Sequence, residues 1–206
     1  MSVDHPTHSL PWPVIRRKLF PRVAAGSRFT LEEISKKETL KTSVARKIKR
    51  DLEDAYPTIA AYIEDFFPKK EPMCVYKTKS HMQFLAIDGE LAFYSTRDGP
   101  FVPTLRFLHK YPNMMKKVQV DRGAIPFVLK GAPIMAVGIT SPGGKIFEDL
   151  DAGTPVAVYA EGKQHAAAIG VTAMSTAEMK SGEKRGCGVE NQHCLGDGLW
   201  HNYKVD

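Results

Sequence analysis

From Thr30 to about Pro68 the apolar positions recur at helical spacing, and beyond Pro72 the period falls to two. Thr30 and Glu33 have the spacing of a capping box, which predicts a short helix through Ile34. Thr42 or Ser43 can cap a second helix running to about Ala55, on which Val44, Ala45, Ile48 and Leu52 share one face. Tyr56-Pro57 interrupts this pattern, and Ile59, Ile63, Phe66 and Phe67 mark another short helix that ends at Pro68. Cys74–Thr78 and Met82–Ile87 then read as strands. Asp88-Gly89, set between alternating apolar runs, predicts a tight hairpin into a strand over 91–95. A helix over 104–110, carrying Leu105 and Leu108, closes at Pro112.

Beyond Lys116 the runs are shorter and glycine more frequent. Residues 118–120 predict a strand, and 123–130 a short helix stopped by Gly131. Strands over 155–160 and 165–173 flank Glu161-Gly162-Lys163, a second hairpin. Ser175 with Glu178 forms another capping-box pattern, before a helix stopped by Gly182. Short strands punctuated by glycine predict a small barrel. The fold class expected is α+β, with a basic and disordered extension over 1–26, a helix-plus-antiparallel-sheet domain over 27–115 and a small barrel over 116–203.

Composition narrows the class. With 43% hydrophobic and 25% charged residues, the 206-residue chain can build a core, which excludes wholesale disorder. The longest apolar stretch, 124–140, is broken by Lys130 and two prolines, so no membrane span is expected. Three cysteines, an odd number in a chain of this size, suggest reduced thiols in a cytosolic protein. The acid-poor start of the chain resembles a targeting segment, but Pro6, Pro11, Pro13 and Pro21 break any amphipathic helix there.

Charge placement says more than charge size. Residues 1–115 carry 19 Lys+Arg against 13 Asp+Glu, and residues 116–206 carry 10 against 10, so the whole +6 excess lies in the first half. Five of the ten residues from Lys41 to Arg50 are basic and none is acidic. At 100° per residue the apolar set of that helix covers about 0–100°, whereas Arg46, Lys47, Lys49 and Arg50 cover about 140–300°. Lys69 and Lys70 follow nearby. Such a face suits the phosphates of a nucleic acid.

Catalytic motifs are weak. Gly143-Gly144-Lys145 is followed by Ile146 rather than Ser or Thr, so a phosphate loop is not indicated. Gly186-Cys187-Gly188 lacks the third glycine of a dinucleotide loop. Cys187, His193 and Cys194, with His201 or His165 as a fourth ligand, match no standard zinc spacing. Asp149 and Asp151 read as carboxylates of a solvated loop. No cofactor, metal or reaction centre is expected.

Several longer strings carry a resemblance. Asp88-Gly-Glu-Leu-Ala-Phe-Tyr94, Gly99-Pro-Phe-Val-Pro-Thr-Leu-Arg-Phe-Leu-His-Lys-Tyr-Pro112 and Val120-Asp-Arg-Gly-Ala-Ile-Pro-Phe-Val-Leu-Lys-Gly-Ala132 closely resemble the malignant T-cell-amplified sequence family. So do Gly138-Ile-Thr-Ser-Pro142, Ala160-Glu-Gly-Lys-Gln-His-Ala166 and Gly196-Asp-Gly-Leu-Trp-His201. The likeness covers about residues 40–201. It implies a cytoplasmic, non-catalytic translation factor whose second part is a PUA domain. It also implies a heterodimer with density-regulated protein that binds the small ribosomal subunit rRNA and the tRNA acceptor end. The roles implied are reinitiation, initiator-tRNA delivery and post-termination recycling. Carried over residue by residue, the RNA segment of the PUA domain is Gly131, Ala132, Pro133, Ile134 and Met135, then Val137, Gly138 and Ile139. The alternative is an RNA-modification enzyme, or its accessory subunit, carrying a PUA domain; a protein-interaction adaptor is a third reading.

Overall fold

The computed structural model describes residues 29–96, 99–182 and 186–205; the expected extension over 1–26 lies outside them. The capping-box contact at Thr30 is present, with its N–H donating to Glu33 Oε1 at 3.3 Å. It opens a short 3-10 turn, Leu31–Glu33, and strand β1 (Ile34–Thr39) begins at Ile34, the residue expected to end the helix. The reason is tertiary. β1 pairs antiparallel with β2 (Cys74–Thr78) at the edge of a sheet, and its Lys36, Lys37 and Glu38 protect that exposed edge.

Helix α1 (Thr42–Ala55) has the predicted length, but its N-cap is Lys41, whose side chain makes no capping bond. Neither Thr42 nor Ser43 is the cap. Leu52 is buried, Ala45 and Ile48 are half-buried and Val44 is exposed. A 3-10 turn (Pro57–Tyr62) and α2 (Ile63–Phe66) complete the helical layer, burying Ile59 and Ile63. β2, β3 (Met82–Ile87), β4 (Glu90–Thr96) and β5 (Val102–Pro103) complete an antiparallel sheet in the order β1-β2-β3-β4-β5. The Asp88-Gly89 hairpin is as predicted. Both residues have positive φ, 50° and 73°, the geometry that matches strand twist. Helix α3 (Leu105–Lys110) follows, capped by the Thr104 hydroxyl, which accepts from the Phe107 N–H.

The second sheet comprises β6 (Lys117–Val120), β7 (Ile134–Met135), β8 (Lys145–Ile146), β9 (Pro155–Ala160), β10 (Ala166–Thr172) and β11 (Cys187–Cys194). Their order is β7-β11-β10-β9-β6-β8, with β6 and β9 parallel and every other pair antiparallel. Short helices α4 (Ile125–Leu129), α5 (Ala136–Thr140), α6 (Thr176–Ser181) and α7 (Gly198–His201) decorate it. The Ser175–Glu178 capping box forms in both directions, at 3.2 and 3.0 Å, and Gly182 ends α6 with φ 68°.

Two apolar cores hold the layers. One gathers Phe84, Phe93, Leu85, Leu105 and Ile63, the other Val118, Val120, Ile139, Val158 and Val189. The first runs on into Ala157, Tyr159, Ala166 and Leu199, so the two sheets share a packed seam. Across it His109 Nε2 donates to the Ala166 carbonyl at 2.8 Å, and the Arg106 guanidinium lies between the Trp200 and Tyr203 rings. The C-terminal segment pairs back on the first sheet. The Leu91 N–H donates to Tyr203 O at 2.7 Å, and the Val205 N–H to Gly89 O at 2.8 Å.

Candidate nucleic-acid interface

A groove opens on the second sheet between α4 and α5. Asp121, just past β6, sets its geometry. Its N–H donates to Gly138 O at 2.9 Å, and its carboxylate accepts the Ala124 N–H at 2.8 Å and the Ser141 hydroxyl. The helix α4 then starts at Ile125 with Pro126 in its first turn, and is stopped by Gly131, whose φ is 71°. Gly131 N–H donates to Val128 O at 2.9 Å and Ala132 N–H to Phe127 O at 3.0 Å, the paired bonds of a Schellman stop. Pro133 carries the chain into β7, and α5 packs back against α4 at Gly138, where a Cβ would stand 3.1 Å from Ala124 Cβ.

The groove encloses about 380 Å³. Of the residues the resemblance assigned to RNA, Ala132, Pro133, Ile134, Met135, Val137 and Gly138 line it. Gly131 and Ile139 do not. Gly131 is used as the helix stop, and Ile139 is 1% exposed in the core. Asp121, Gly123, Ala124, Phe127 and Val128 also line the groove and were not singled out in the sequence. Phe127 was legible only as one apolar residue of a helix. It is 63% exposed, with 69% for Val137 and 50% for Met135, although α4 itself packs on the sheet through the buried Val128. Three large apolar side chains left together in water mark a surface that something covers. Asp121 is the one charged residue in the lining.

On α1, Arg46, Lys47 and Arg50 are exposed, and among the described residues none has an ion-pair partner. Lys49 departs from the expected face. Its side chain is 15% exposed, its ammonium donates to the Phe67 carbonyl, and Glu64 lies 3.6 Å away. The angular reading explains this: at about 140°, Lys49 borders the apolar arc and reaches the C-terminal carbonyl of α2. Glu64 is also 3.9 Å from Lys69, and Lys69 and Lys70 are both exposed. α1 has no acid in its first turn and no base in its last, the reverse of what the helix dipole favours.

The cysteine–histidine set is split by strand geometry. Cys187 and Cys194 begin and end β11, about 20 Å apart at strand rise. His193 Nδ1 is engaged by Asp197 Oδ2 at 2.7 Å. Burial, and then the Asp197 charge, push the Cys194 thiol up to about 11. Gly143, with φ 95°, and Gly144, whose Cβ would meet Ile139 O at 2.3 Å, form a tight turn. Asp149 pairs with Lys180 at 2.8 Å, which holds its carboxyl below the usual range. No helix among the described residues is long and apolar enough to cross a membrane.

Comparison with known proteins agrees with this architecture. The Pre-PUA-like domain family matches residues 29–112 and the PUA domain family residues 116–195. Malignant T-cell-amplified sequence 1-A of Xenopus laevis is 48% identical over 170 residues, covering 82% of this chain and 93% of the relative. Malignant T-cell-amplified sequence 2 of Homo sapiens is also 48% identical, with the same coverage. Translation machinery-associated protein 20 of Schizosaccharomyces pombe is 43% identical over 169 residues, covering 82% and 93%. Among solved structures, a hypothetical protein of Pyrococcus horikoshii OT3 aligns with TM-score 0.64 at 24% identity, covering 81% of this chain and 98% of that one. A PUA domain of Aeropyrum pernix K1 aligns with TM-score 0.60 at 24% identity, covering 80% and 89%. With two complementary domain matches and relatives alike over nearly their whole length, the chain belongs to the malignant T-cell-amplified sequence family.

Proposed function

We propose that the chain is a non-catalytic RNA-binding factor of the translation machinery. In this reading the α4–α5 groove holds an unpaired RNA end, that of a tRNA acceptor stem, and the basic first half docks on small-subunit rRNA. The observation that carries it is the groove itself, where Phe127 and Val137 present exposed apolar surface beside a backbone crowded with glycine and alanine. A flat base stacks on the Phe127 ring irrespective of sequence, a contact worth about 1–3 kcal/mol, and the aliphatic Val137 adds apolar surface beside it. The name of the S. pombe relative places that protein with the translation machinery, which supports the same setting here. A heterodimer with density-regulated protein, acting in reinitiation, initiator-tRNA delivery and recycling, is the finer form of the proposal.

The test is the binding of a 5′-labelled single-stranded RNA with an acceptor-end sequence, followed by fluorescence anisotropy. Val137→Asp puts a charge on an exposed wall and should leave the melting temperature unchanged. It should weaken binding about tenfold or more, because the new carboxylate repels the phosphates and an apolar contact is lost. Unchanged affinity would remove the groove from RNA binding.

A further inference from the structure

We propose that the C-terminal segment Asn202–Val205 is a reversible strap that locks the Pre-PUA-like and PUA domains in one orientation, with Arg106 as its catch.

The strap leaves the end of α7 and lies on the first sheet. Strand β3 takes one edge of β4; on the other edge β5 pairs with Phe93 and Tyr94, and Lys204 bridges to Glu90. The strap thus continues along the edge that the two-residue β5 leaves open. The Leu91 N–H donates to Tyr203 O at 2.7 Å, and the Val205 N–H to Gly89 O at 2.8 Å. Gly89 serves as part of this seat as well as of its own turn, since a Cβ there would stand 3.2 Å from Val205 O. Asn202 Nδ2 donates to the Phe29 carbonyl at 2.8 Å, so the strap also grips the start of the first domain. Trp200 and Val205 both pack on the first core.

Arg106, on α3 of the first domain, closes the strap from the side. Its Nε donates to Trp200 O at 2.8 Å. Its guanidinium carbon lies 4.1 Å from the Trp200 ring centre and 3.8 Å from that of Tyr203. A planar cation fits such a slot between two rings, and a lysine ammonium does not replace it. One side chain therefore holds the last helix and the strap that follows it.

These fastenings are shallow: Arg106, Asn202, Tyr203 and Val205 are each half-buried and Lys204 is exposed. Backbone pairs of that kind open locally before the buried strands of a core do. Elsewhere on the seam His109 meets the Ala166 carbonyl and the Tyr159 hydroxyl the Pro112 carbonyl. Those contacts keep the domains in touch when the strap opens, and what the strap adds is a fixed angle. Its consequence for function rests on the proposed RNA surfaces. The α4–α5 groove lies on one domain and the basic face of α1 on the other, so a fixed angle raises the effective concentration of one once the other is bound.

The experiment compares the full chain with a chain ending at His201 and with Arg106→Lys, which keeps the charge and loses the planar fork. In native-state hydrogen exchange the Leu91 and Val205 amides of the full chain should exchange together, about tenfold or more faster than those of β9 and β10. In Arg106→Lys they should exchange about tenfold faster again, with the β9 and β10 amides within about twofold of wild type. Calorimetry should show one transition for the full chain and two for the truncated one. A 5′-labelled single-stranded RNA with an acceptor-end sequence should bind all three within about twofold, whereas small-subunit affinity should fall about tenfold on truncation. Leu91 and Val205 amides that keep their wild-type rate in Arg106→Lys would overturn the strap. So would a truncated chain that unfolds in a single transition or keeps its small-subunit affinity. If the truncated chain does not fold, the exchange rates in Arg106→Lys decide. If the full chain binds neither RNA, the functional reading fails, and exchange and calorimetry still judge the strap.

Discussion

At Gly138 the structure supplies a packing reason for glycine beside the RNA approach expected from the sequence. The sequence singled it out as a place where RNA approaches the backbone, which would let a larger residue fold normally. In the structure it lies inside α5, buried, with Ala124 close enough that an added Cβ would stand 3.1 Å away. It lets two short helices meet and so forms the floor of the groove. Gly138→Val should cost about 1–3 kcal/mol through overpacking, read as a lower melting temperature by circular dichroism. Gly138→Ala should cost less, since a few tenths of an ångström suffice to relieve one contact. Melting of the valine variant at the wild-type temperature would show that the α4–α5 contact is soft.

At the scale of elements, α1 presents two kinds of basic side chain. Arg46, Lys47 and Arg50 stand in solvent with no ion-pair partner among the described residues, whereas Lys49 is folded onto the Phe67 carbonyl beside Glu64. Replacing Arg46, Lys47 and Arg50 by Gln should cost less than about 0.5 kcal/mol each. The triple variant should flatten the slope of log affinity against log salt for small-subunit binding by about two to three units. Parallel salt titrations for wild type and variant would show that α1 does not touch RNA. Lys49→Gln should do the opposite. It removes a charged hydrogen bond worth about 1–3 kcal/mol and should leave the salt slope within half a unit. β11 makes the matching point for strands. Its Asn191, Gln192 and His193 are buried, and Asn191 Nδ2 donates to Val128 O at 3.0 Å under α4. A polar string with no apolar alternation gives no strand signal, and in the sequence only its Cys187, His193 and Cys194 stood out, at a spacing that matches no standard zinc site.

For the whole molecule the seam between the sheets is decisive. His109 is half-buried there, and desolvation lowers its pKa from the ordinary histidine value of 6.5. The Ala166 carbonyl it donates to opposes the shift, and His165, Arg106 and His193 add to it. A histidine depressed in the folded state binds its proton more readily once unfolded. Its contribution is therefore complete above the unfolded value, near 6.5, and is lost as pH falls from there through the lowered folded value. His109→Asn, which keeps a donor and no titratable ring, should make stability between pH 7 and pH 5 fall less steeply than in the wild type. Denaturant titrations at several pH values read this directly, and identical pH profiles would remove His109 from the acid sensitivity of the seam.

What the sequence determined by itself is local. The length of α1, the Asp88-Gly89 hairpin and the Ser175–Glu178 cap all depend on φ/ψ preferences and hydrogen bonds within a few residues, and those act before any tertiary contact exists. The opposed faces of α1 were legible for the same reason, because 100° steps fix which side chains share a side. The tertiary structure alone decided that the chain from Ile34 to Thr39 becomes an edge strand, that Lys49 leaves the basic face, and that polar β11 is buried. It also decided that Asp121, Phe127 and Val137 line one groove. Each of these depends on partners distant in the chain: β1 on Cys74–Thr78, Lys49 on Phe67, Asn191 on Val128 and Asp121 on Ser141. Burial and hydrogen-bond satisfaction are properties of those partners as much as of the residues themselves, so no local pattern encodes them.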